Sequence, residues 1–375
     1  MPLTRVKTPR AMLIFSDVDN SPQLIAILKK LRQEEIEFIL FLLGTSKKKL
    51  SFDLESLDIP YRFLSIATKS KIPYGAAIIF RQLIGTRPTV VYASGQFATL
   101  IGMATSFLAG VPNRIFTRHH SNFHTFYKMK QGIFADKIGN LLSTKIIVVS
   151  EIVKSILIEN ENVSPSKIRL IHNGIELDKF RIGFESQKDP RRRNRDHSEH
   201  FQIGVISRHT NLKGIEYTST AFIRILNHFP NAHLTIVGAP SDSTSEILRI
   251  LSAVDSSKYS LIDFSPNIPE FLASLDIFIH VPIDPGAESF GLVYIESLAI
   301  GVPSIFTISG ILHEIPNLEE YVRVVPYKDS EAIYHAICDI LGNSTNLQSE
   351  IPPEWIDQFK MELMADSYYK EIFSL

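Results

Sequence analysis

The 375-residue sequence contains a single cysteine, Cys338. One thiol permits no internal disulfide, so the chain is expected to fold unstapled in a reducing compartment. Long apolar runs are missing too. The longest candidate, Ala98 to Val111, is broken by Thr99, Gly102, Thr105, Ser106 and Gly110. It falls short of the ~18 residues that a membrane span requires. The basic N-terminus, MPLTRVKTPR, has no apolar core or small-residue cleavage site behind it and reads as no secretion signal. No Cys/His spacing suits zinc. A Gly-x-Ser-x-Gly elbow, a Walker loop and a complete Gly-x-Gly-x-x-Gly are all absent. Asp17-Val-Asp19 has no partner cluster of metal ligands, so no metal is expected. At 45% hydrophobic and 21% charged residues, global disorder and collagen-like repeats are excluded.

What is present is a rhythm. MLIFS (12–16), FILFLL (38–43), TVVYA (89–93), NRIFT (113–117), KIIVVS (145–150) and KIRLIH (167–172) read as buried parallel strands. FQIGVIS (201–207), AHLTIVG (232–238), YSLIDF (259–264), DIFIHV (276–281), PSIFTI (303–308) and VRVVP (322–326) repeat the pattern. Helix-length segments separate them, which predicts an α/β protein whose two halves are parallel sheets built from βαβ units with helices on both faces. Residues 184–200 contain no aliphatic side chain and many charges, the composition of a solvated linker. The expected organisation is therefore an N-terminal domain over 1–183, a linker over 184–200 and a C-terminal domain over 201–345. A helical tail over 346–375 packs on its own domain or crosses back to the first. Two such halves facing one another form a cleft, and open α/β sheets bind ligands beyond the carboxyl ends of their strands.

The net charge of −1 hides an asymmetry. Residues 1–180 carry 24 Lys+Arg against 14 Asp+Glu, and residues 181–375 carry 15 against 26. A basic half suggests an anionic partner, such as a phosphorylated acceptor or an acidic lipid surface. Mutual attraction of the halves, or ordinary solvated faces, is the competing explanation. Interleaved aromatic and basic motifs of an RNA-binding type are lacking, so nucleic acid is not an expected partner.

Two segments carry chemistry. Glu288-Ser-Phe-Gly-Leu-Val-Tyr-Ile-Glu296 follows an apolar strand and an irregular loop. Ser289 or a neighbour is expected to cap a helix beginning near Phe290. The first turn, with Phe290, Gly291 and Leu292, then offers backbone N–H groups and a positive dipole end to a phosphate. Glu288 before the helix and Glu296 inside it can each grip hydroxyls, as sugars and riboses require. The plainer alternative is a dipole-favouring acid and an exposed helix glutamate. Ser207-Arg208-His209-Thr210-Asn211-Leu212-Lys213-Gly214 follows the first strand of the second half and opens its first helix. Arg208 and Lys213 there suit a diphosphate, or else are solvated loop cations.

Together these segments resemble the family-4 retaining glycosyltransferases, whose GT-B fold has two facing Rossmann-like domains. Ile171-His-Asn-Gly-Ile-Glu-Leu-Asp-Lys-Phe180 resembles that family's Asn-Gly segment, and Ile206–Gly214 resembles its Arg-(four residues)-Lys-Gly phosphate motif. Residues 276–315 resemble its two-glutamate motif, with Ala-Ile-Gly-Val-Pro at 299–303 and a Gly-containing loop ending in Glu314. Thr117-Arg118-His119-His120 resembles the segment bearing its active-site histidine. The resemblance implies that Arg208 and Lys213 contact the diphosphate of a nucleotide-sugar donor and that Glu296 holds the ribose. It implies that Glu288 holds the transferred sugar and that His119 reaches it, with His120 as a one-residue-slip alternative. It further implies transfer to an acceptor hydroxyl, and with Arg208 and Lys213 to neutralise the diphosphate no cofactor or metal is expected. The charge of the first half, in turn, suggests an anionic or lipid-linked acceptor, as in cell-surface polysaccharide or glycolipid synthesis, with the enzyme in the cytoplasm at the inner face of the membrane. A nucleotide-sugar epimerase and a non-catalytic nucleotide-sugar-binding protein are the competing readings. The chain departs from the family pattern at Ser16–Pro22, where a glycine pair is usual, and at Pro282–Ala287, which adds residues beside the sugar pocket.

Overall fold

The computed structural model describes residues 11–19, 21–66, 71–181, 200–342, 347 and 351–373. The chain divides into two compact units, one of residues 1–174 with 361–375 and one of residues 175–360. The divisions thus fall at Gly174–Ile175 and Lys360–Met361. Residues 184–199 of the expected linker lie outside the described residues.

The first unit is a seven-stranded parallel sheet in the order β3-β2-β1-β4-β5-β6-β7. Its strands are β1 (Ala11–Ser16), β2 (Phe38–Gly44), β3 (Arg62–Ser65), β4 (Val90–Ser94), β5 (Asn113–Arg118), β6 (Lys145–Val148) and β7 (Ile168–Leu170). Its helices are α1 (Pro22–Gln33), α2 (Lys49–Ser56), α3 (Lys71–Thr86), α4 (Gln96–Leu108), α5 (Phe123–Phe126), α6 (Lys130–Leu142) and α7 (Glu151–Glu159). Each expected strand is present, because a strand covered on both faces must be apolar at every position. β3 was not foreseen: an edge strand with half-exposed residues lacks that signature. One face of the sheet buries Leu13, Phe15, Leu40 and Leu42 with α1 and α2. The C-terminal helix, Met361–Phe373, completes that layer by packing on α1. Its Tyr368 hydroxyl lies 3.2 Å from Thr117 Oγ1, which also bonds Tyr92. Lys145 Nζ donates to the Glu371 carbonyl and pairs with its carboxylate, both at 2.8 Å. The tail is thereby fastened beneath the end of β5.

The second unit is a six-stranded parallel sheet in the order β10-β9-β8-β11-β12-β13. Its strands are β8 (Gln202–Ile206), β9 (His233–Val237), β10 (Tyr259–Ile262), β11 (Ile277–His280), β12 (Ser304–Phe306) and β13 (Arg323–Val324). Helices α8 (Ile215–Ile225), α9 (Thr244–Leu251), α10 (Ile268–Ser274), α11 (Leu292–Ile300) and α12 (Ser330–Leu341) connect or flank them. Both units are Rossmann-like, and loops at the carboxyl ends of the strands carry the polar residues considered next.

Candidate functional site

In the second unit the loops leaving β8 and β11 are pinned together. Ile283 N donates to the Leu212 carbonyl at 3.1 Å. Gly214 has φ +66°, and a Cβ there would lie 2.1 Å from the Val281 carbonyl oxygen, so only glycine permits this approach. The approach brings Lys213 to Glu288: Nζ and Oε1 are 2.5 Å apart, with both side chains 12% exposed. His280 Nε2 lies 2.7 Å from the same oxygen and is almost fully buried. Glu288 is held from behind as well. Its backbone N–H donates to Ser309 Oγ at 3.0 Å, and Ser309 donates onward to the Pro285 carbonyl at 3.0 Å.

The electrostatics follow from these contacts. Burial acts to raise the Glu288 pKa, but the Lys213 ammonium and the His280 hydrogen bond outweigh it and bring the pKa down to about 2. His280 is pushed below its ordinary value by burial, with Glu288 opposing. Glu296, one turn into α11, has no hydrogen bond or ion pair among the described residues, and burial raises its pKa to about 7. A half-buried carboxylate without donors is costly, which makes Glu296 a candidate ligand contact.

The helix bearing Glu296 starts later than expected. Gly291, with φ +82°, is the N-cap, and α11 runs from Leu292. Ser289 does not cap it. A Cβ at Gly291 would meet the Tyr294 ring at 2.4 Å, so backbone conformation and packing, not a hydroxyl, set this helix start. The first turn contains no acidic residue, which leaves the positive end of the dipole uncompensated. Phe290 is buried against Phe359. Arg208 is exposed on its loop and carries no ion pair among the described residues. Lys213 and Glu288 are therefore brought into contact, whereas Arg208 and Glu296 both stand outside that ion pair. His280 is the residue that sequence reasoning passed over. Its place as the last residue of β11, at the carboxyl end of a buried strand, was the available signal. His209 is likewise buried, with Nδ1 3.2 Å from Thr244 Oγ1 and an unpartnered Nε2.

In the first unit, β5 ends in Arg118, and the next two residues turn apart. His119 is exposed, and its Nε2 lies 3.1 Å from Ser94 Oγ at the end of β4. The surrounding protein and the neighbouring His120 lower its pKa. His120 turns inward to Asp136, with Nε2 3.1 Å from Oδ2, and His124 Nδ1 lies 2.6 Å from the same oxygen. Buried Arg118 joins them, 3.2 Å from Asp136 and 2.6 Å from Glu161. His119, His120 and Asp136 line a cavity of about 140 Å³, with Gly95, Gln96 and Thr99 opposite. The ligand atoms of His120, His124 and Asp136 lie within 4.8 Å of one another. Their carboxylate, however, already accepts from both imidazoles and faces a guanidinium that would repel a metal cation. We read the group as a charge-balanced support for the end of β5. Asp136→Ala is accordingly expected to destabilise the fold by about 3 kcal/mol, since it removes one of the two carboxylates on buried Arg118 and leaves two imidazoles without their acceptor. His119→Ala should cost less than ~0.5 kcal/mol, and urea unfolding of both variants measures the contrast.

The loop after β1 is tied to the start of α2. Asp17 is buried and accepts from Lys48 N at 2.8 Å and Ser51 Oγ at 2.7 Å, at the start of α2. Gly95, which follows the neighbouring strand β4 and caps α4, approaches the end of β1 closely. It has φ +97°, and a Cβ there would lie 2.4 Å from Ser16 Oγ.

Residues 200–343 match the family model described as "Glycosyl transferases group 1", and residues 23–179 match that described as "Glycosyltransferase Family 4". A D-inositol 3-phosphate glycosyltransferase from Acidothermus cellulolyticus is 31% identical over 159 residues, covering 39% of this chain and 34% of that protein. The chain thus spans about a third of this relative's length. Among solved structures, Anabaena HepE in complex with UDP and glucose has a TM-score of 0.78 at 15% identity, with 98% of this chain and 100% of that one covered. Sucrose-phosphate synthase from Thermosynechococcus elongatus has a TM-score of 0.73 at 17% identity, with 98% and 100% covered. At such identities the likeness is one of fold.

Proposed function

Because this chain belongs to the family-4 GT-B glycosyltransferases, we propose that it moves a sugar from a nucleotide diphosphate sugar to an acceptor hydroxyl with retention of anomeric configuration. The observation that carries this reading is the Lys213–Glu288–His280 cluster, with Glu296 on the helix that follows Glu288 and without a polar partner among the described residues. Without ligand, the Lys213 ammonium balances the Glu288 carboxylate. When the donor arrives, its diphosphate takes over Lys213 and Arg208, and hydroxyls of the transferred sugar donate to Glu288 in their place. Each buried charge exchanges one partner for another, so none is left uncompensated. Glu296 accepts from the ribose hydroxyls, and the first turn of α11, from Phe290 to Leu292, receives phosphate oxygens. That the Anabaena neighbour was solved with UDP and glucose supports a donor of this class.

In the reaction, the bond between the anomeric carbon and the donor phosphate oxygen breaks. The acceptor oxygen bonds to that carbon on the same face, and its proton passes to the leaving phosphate. Lys213 and Arg208 stabilise the charge that develops on the leaving group. In the first unit, His119 and the cavity beside it are the candidate substrate contacts. The product is a polysaccharide or glycolipid precursor.

A thermal-shift screen over nucleoside diphosphates and their sugars tests donor binding, since ligands of the native state raise its melting temperature. A shift with one nucleotide sugar, followed by formation of a product of unchanged anomeric configuration by NMR, is the expected result. Activity should also survive a chelator, because the cationic side chains do the neutralising. Absence of any nucleotide effect, or an inverted product, overturns the corresponding part of the reading.

A further inference from the structure

We propose that the outer face of α3, α4 and α6 is a docking surface for an anionic lipid bilayer. Between Asp58 and Glu151 the sequence contains one acidic residue, Asp136. That carboxylate is turned inward to Arg118, His120 and His124. Over the same stretch, Lys71, Arg81, Arg87, Lys128, Lys130 and Lys137 carry no ion pair among the described residues. Surface cations are ordinarily interspersed with acids, and here the acids are missing.

Apolar side chains share this face. α4 is the middle helix of the layer and packs on both α3 and α6. Its Gly102 lies against Ile14 and Ala93 of the sheet, so the opposite arc points outward. That arc presents Phe97, Leu100, Ala104, Phe107 and Leu108, and the helix contains no charged residue at all. Phe97 and Phe107 are about half exposed, and Leu108 is 73% exposed. On α6 the exposed positions recur at helical spacing as Lys130, Phe134, Lys137 and Leu141, alternating cation and apolar group. On α3, Tyr74 and Ile84 flank Arg81 on one exposed stripe. Apolar patches of this extent on a soluble surface mark an interaction site.

The charge pattern decides what the surface meets. A second copy would set Lys130 and Lys137 against like charges. A bilayer interface offers acyl chains for Phe107, Leu108, Phe134 and Leu141 and phosphates for the unpaired cations, both at one depth. Lys130 and Lys137 can lay their stems along the apolar groups and extend their ammonium ends to the headgroups. The mode is peripheral, since no described helix is long and apolar enough to cross a membrane. This inference stands on the first unit alone and does not depend on the donor chemistry proposed for the second.

The test is co-sedimentation of the full chain with vesicles of equimolar phosphatidylcholine and phosphatidylglycerol, against vesicles of phosphatidylcholine only. Binding is expected to favour the anionic vesicles and to weaken with salt. Lys130→Glu with Lys137→Glu should lower the partition constant about thirtyfold or more, and Phe107→Ser with Phe134→Ser about tenfold or more. Lys29→Glu with Lys370→Glu makes the same charge change at exposed positions of α1 and the C-terminal helix, and should change binding less than about twofold. Phe107→Trp adds one indole to a chain whose sole native tryptophan is Trp355. Its emission should shift to the blue on anionic vesicles. The proposal is overturned if anionic vesicles are not preferred. It is equally overturned if the two charge-reversal pairs behave alike, or if the serine pair changes the oligomeric mass of the free protein and leaves vesicle binding intact. Circular dichroism of each variant confirms that these surface changes leave the fold in place.

Discussion

Lys213→Ala is expected to lower turnover of donor about a hundredfold or more, the loss typical when one charge-stabilising group is removed from a reacting centre. It should also unfold more easily at neutral pH, by about 3 kcal/mol, because Glu288 is left buried with only His280 for a partner. The sign of the pH dependence is fixed by the Glu288 pKa, lowered from 4.5 to about 2 in the native state. A lowered carboxylate contributes stability above its unfolded value, and that contribution fades as pH falls from 4.5 toward 2. The stability gap between wild type and variant should therefore be full at pH 7 and narrow toward pH 3. The double variant Lys213→Ala with Glu288→Gln separates the two effects. Removing both partners of a buried pair restores much of the stability, whereas donor turnover stays low. Wild-type turnover in Lys213→Ala would remove this lysine from the chemistry.

Glu296→Gln is expected to move stability the other way. Burial raises this carboxyl from 4.5 to about 7, so the native state bears a growing penalty as pH rises through that window. Below pH 4.5 the side chain is neutral in the folded and unfolded chain alike, and the amide should melt like the wild type. At pH 8 the amide should be the more stable by something on the order of 2 kcal/mol, or a few degrees in melting temperature. Donor affinity should fall about tenfold to a hundredfold, since an amide gives up the charge-assisted bonds to ribose hydroxyls. A variant that gains stability at high pH and loses donor would identify Glu296 as a residue kept for function at the expense of the fold. Equal melting at pH 5 and pH 8 would mean that the carboxylate is solvated and unburdened.

These two glutamates also mark how much was legible beforehand. The segment from Glu288 to Glu296 and the loop from Arg208 to Lys213 announce themselves by position, each following an apolar strand and opening a helix. Their contact was not legible. It depends on Gly214 packing against the Val281 carbonyl, an approach between residues 67 positions apart that no local pattern encodes. His280 was missed because a histidine within an apolar strand looks like any core residue until the carboxylate 8 positions on folds back to it. The start of α11 was misplaced for a related reason. Capping rules favour the serine, but Gly291 in a left-handed conformation and the Tyr294 ring beside it determine where the helix begins. At His119 and His120, alternation said that only one points to a given side. In the folded chain His120 bonds Asp136 and His119 lies against Ser94, partners that no local pattern names.

From its order of residues alone, this chain is committed to two parallel α/β sheets, because continuous β-branched runs separated by helix-length segments bury their backbones in no other way. The same order commits it to presenting cations and carboxylates at strand ends, and to an almost acid-free surface over α3, α4 and α6. Tertiary structure decided the rest: which cation meets which carboxylate, which histidine turns inward, and where the C-terminal helix is fastened. Those outcomes hinge on distances of a few ångströms between segments remote in sequence, and the energies of ion pairs and close glycine contacts change steeply over that range.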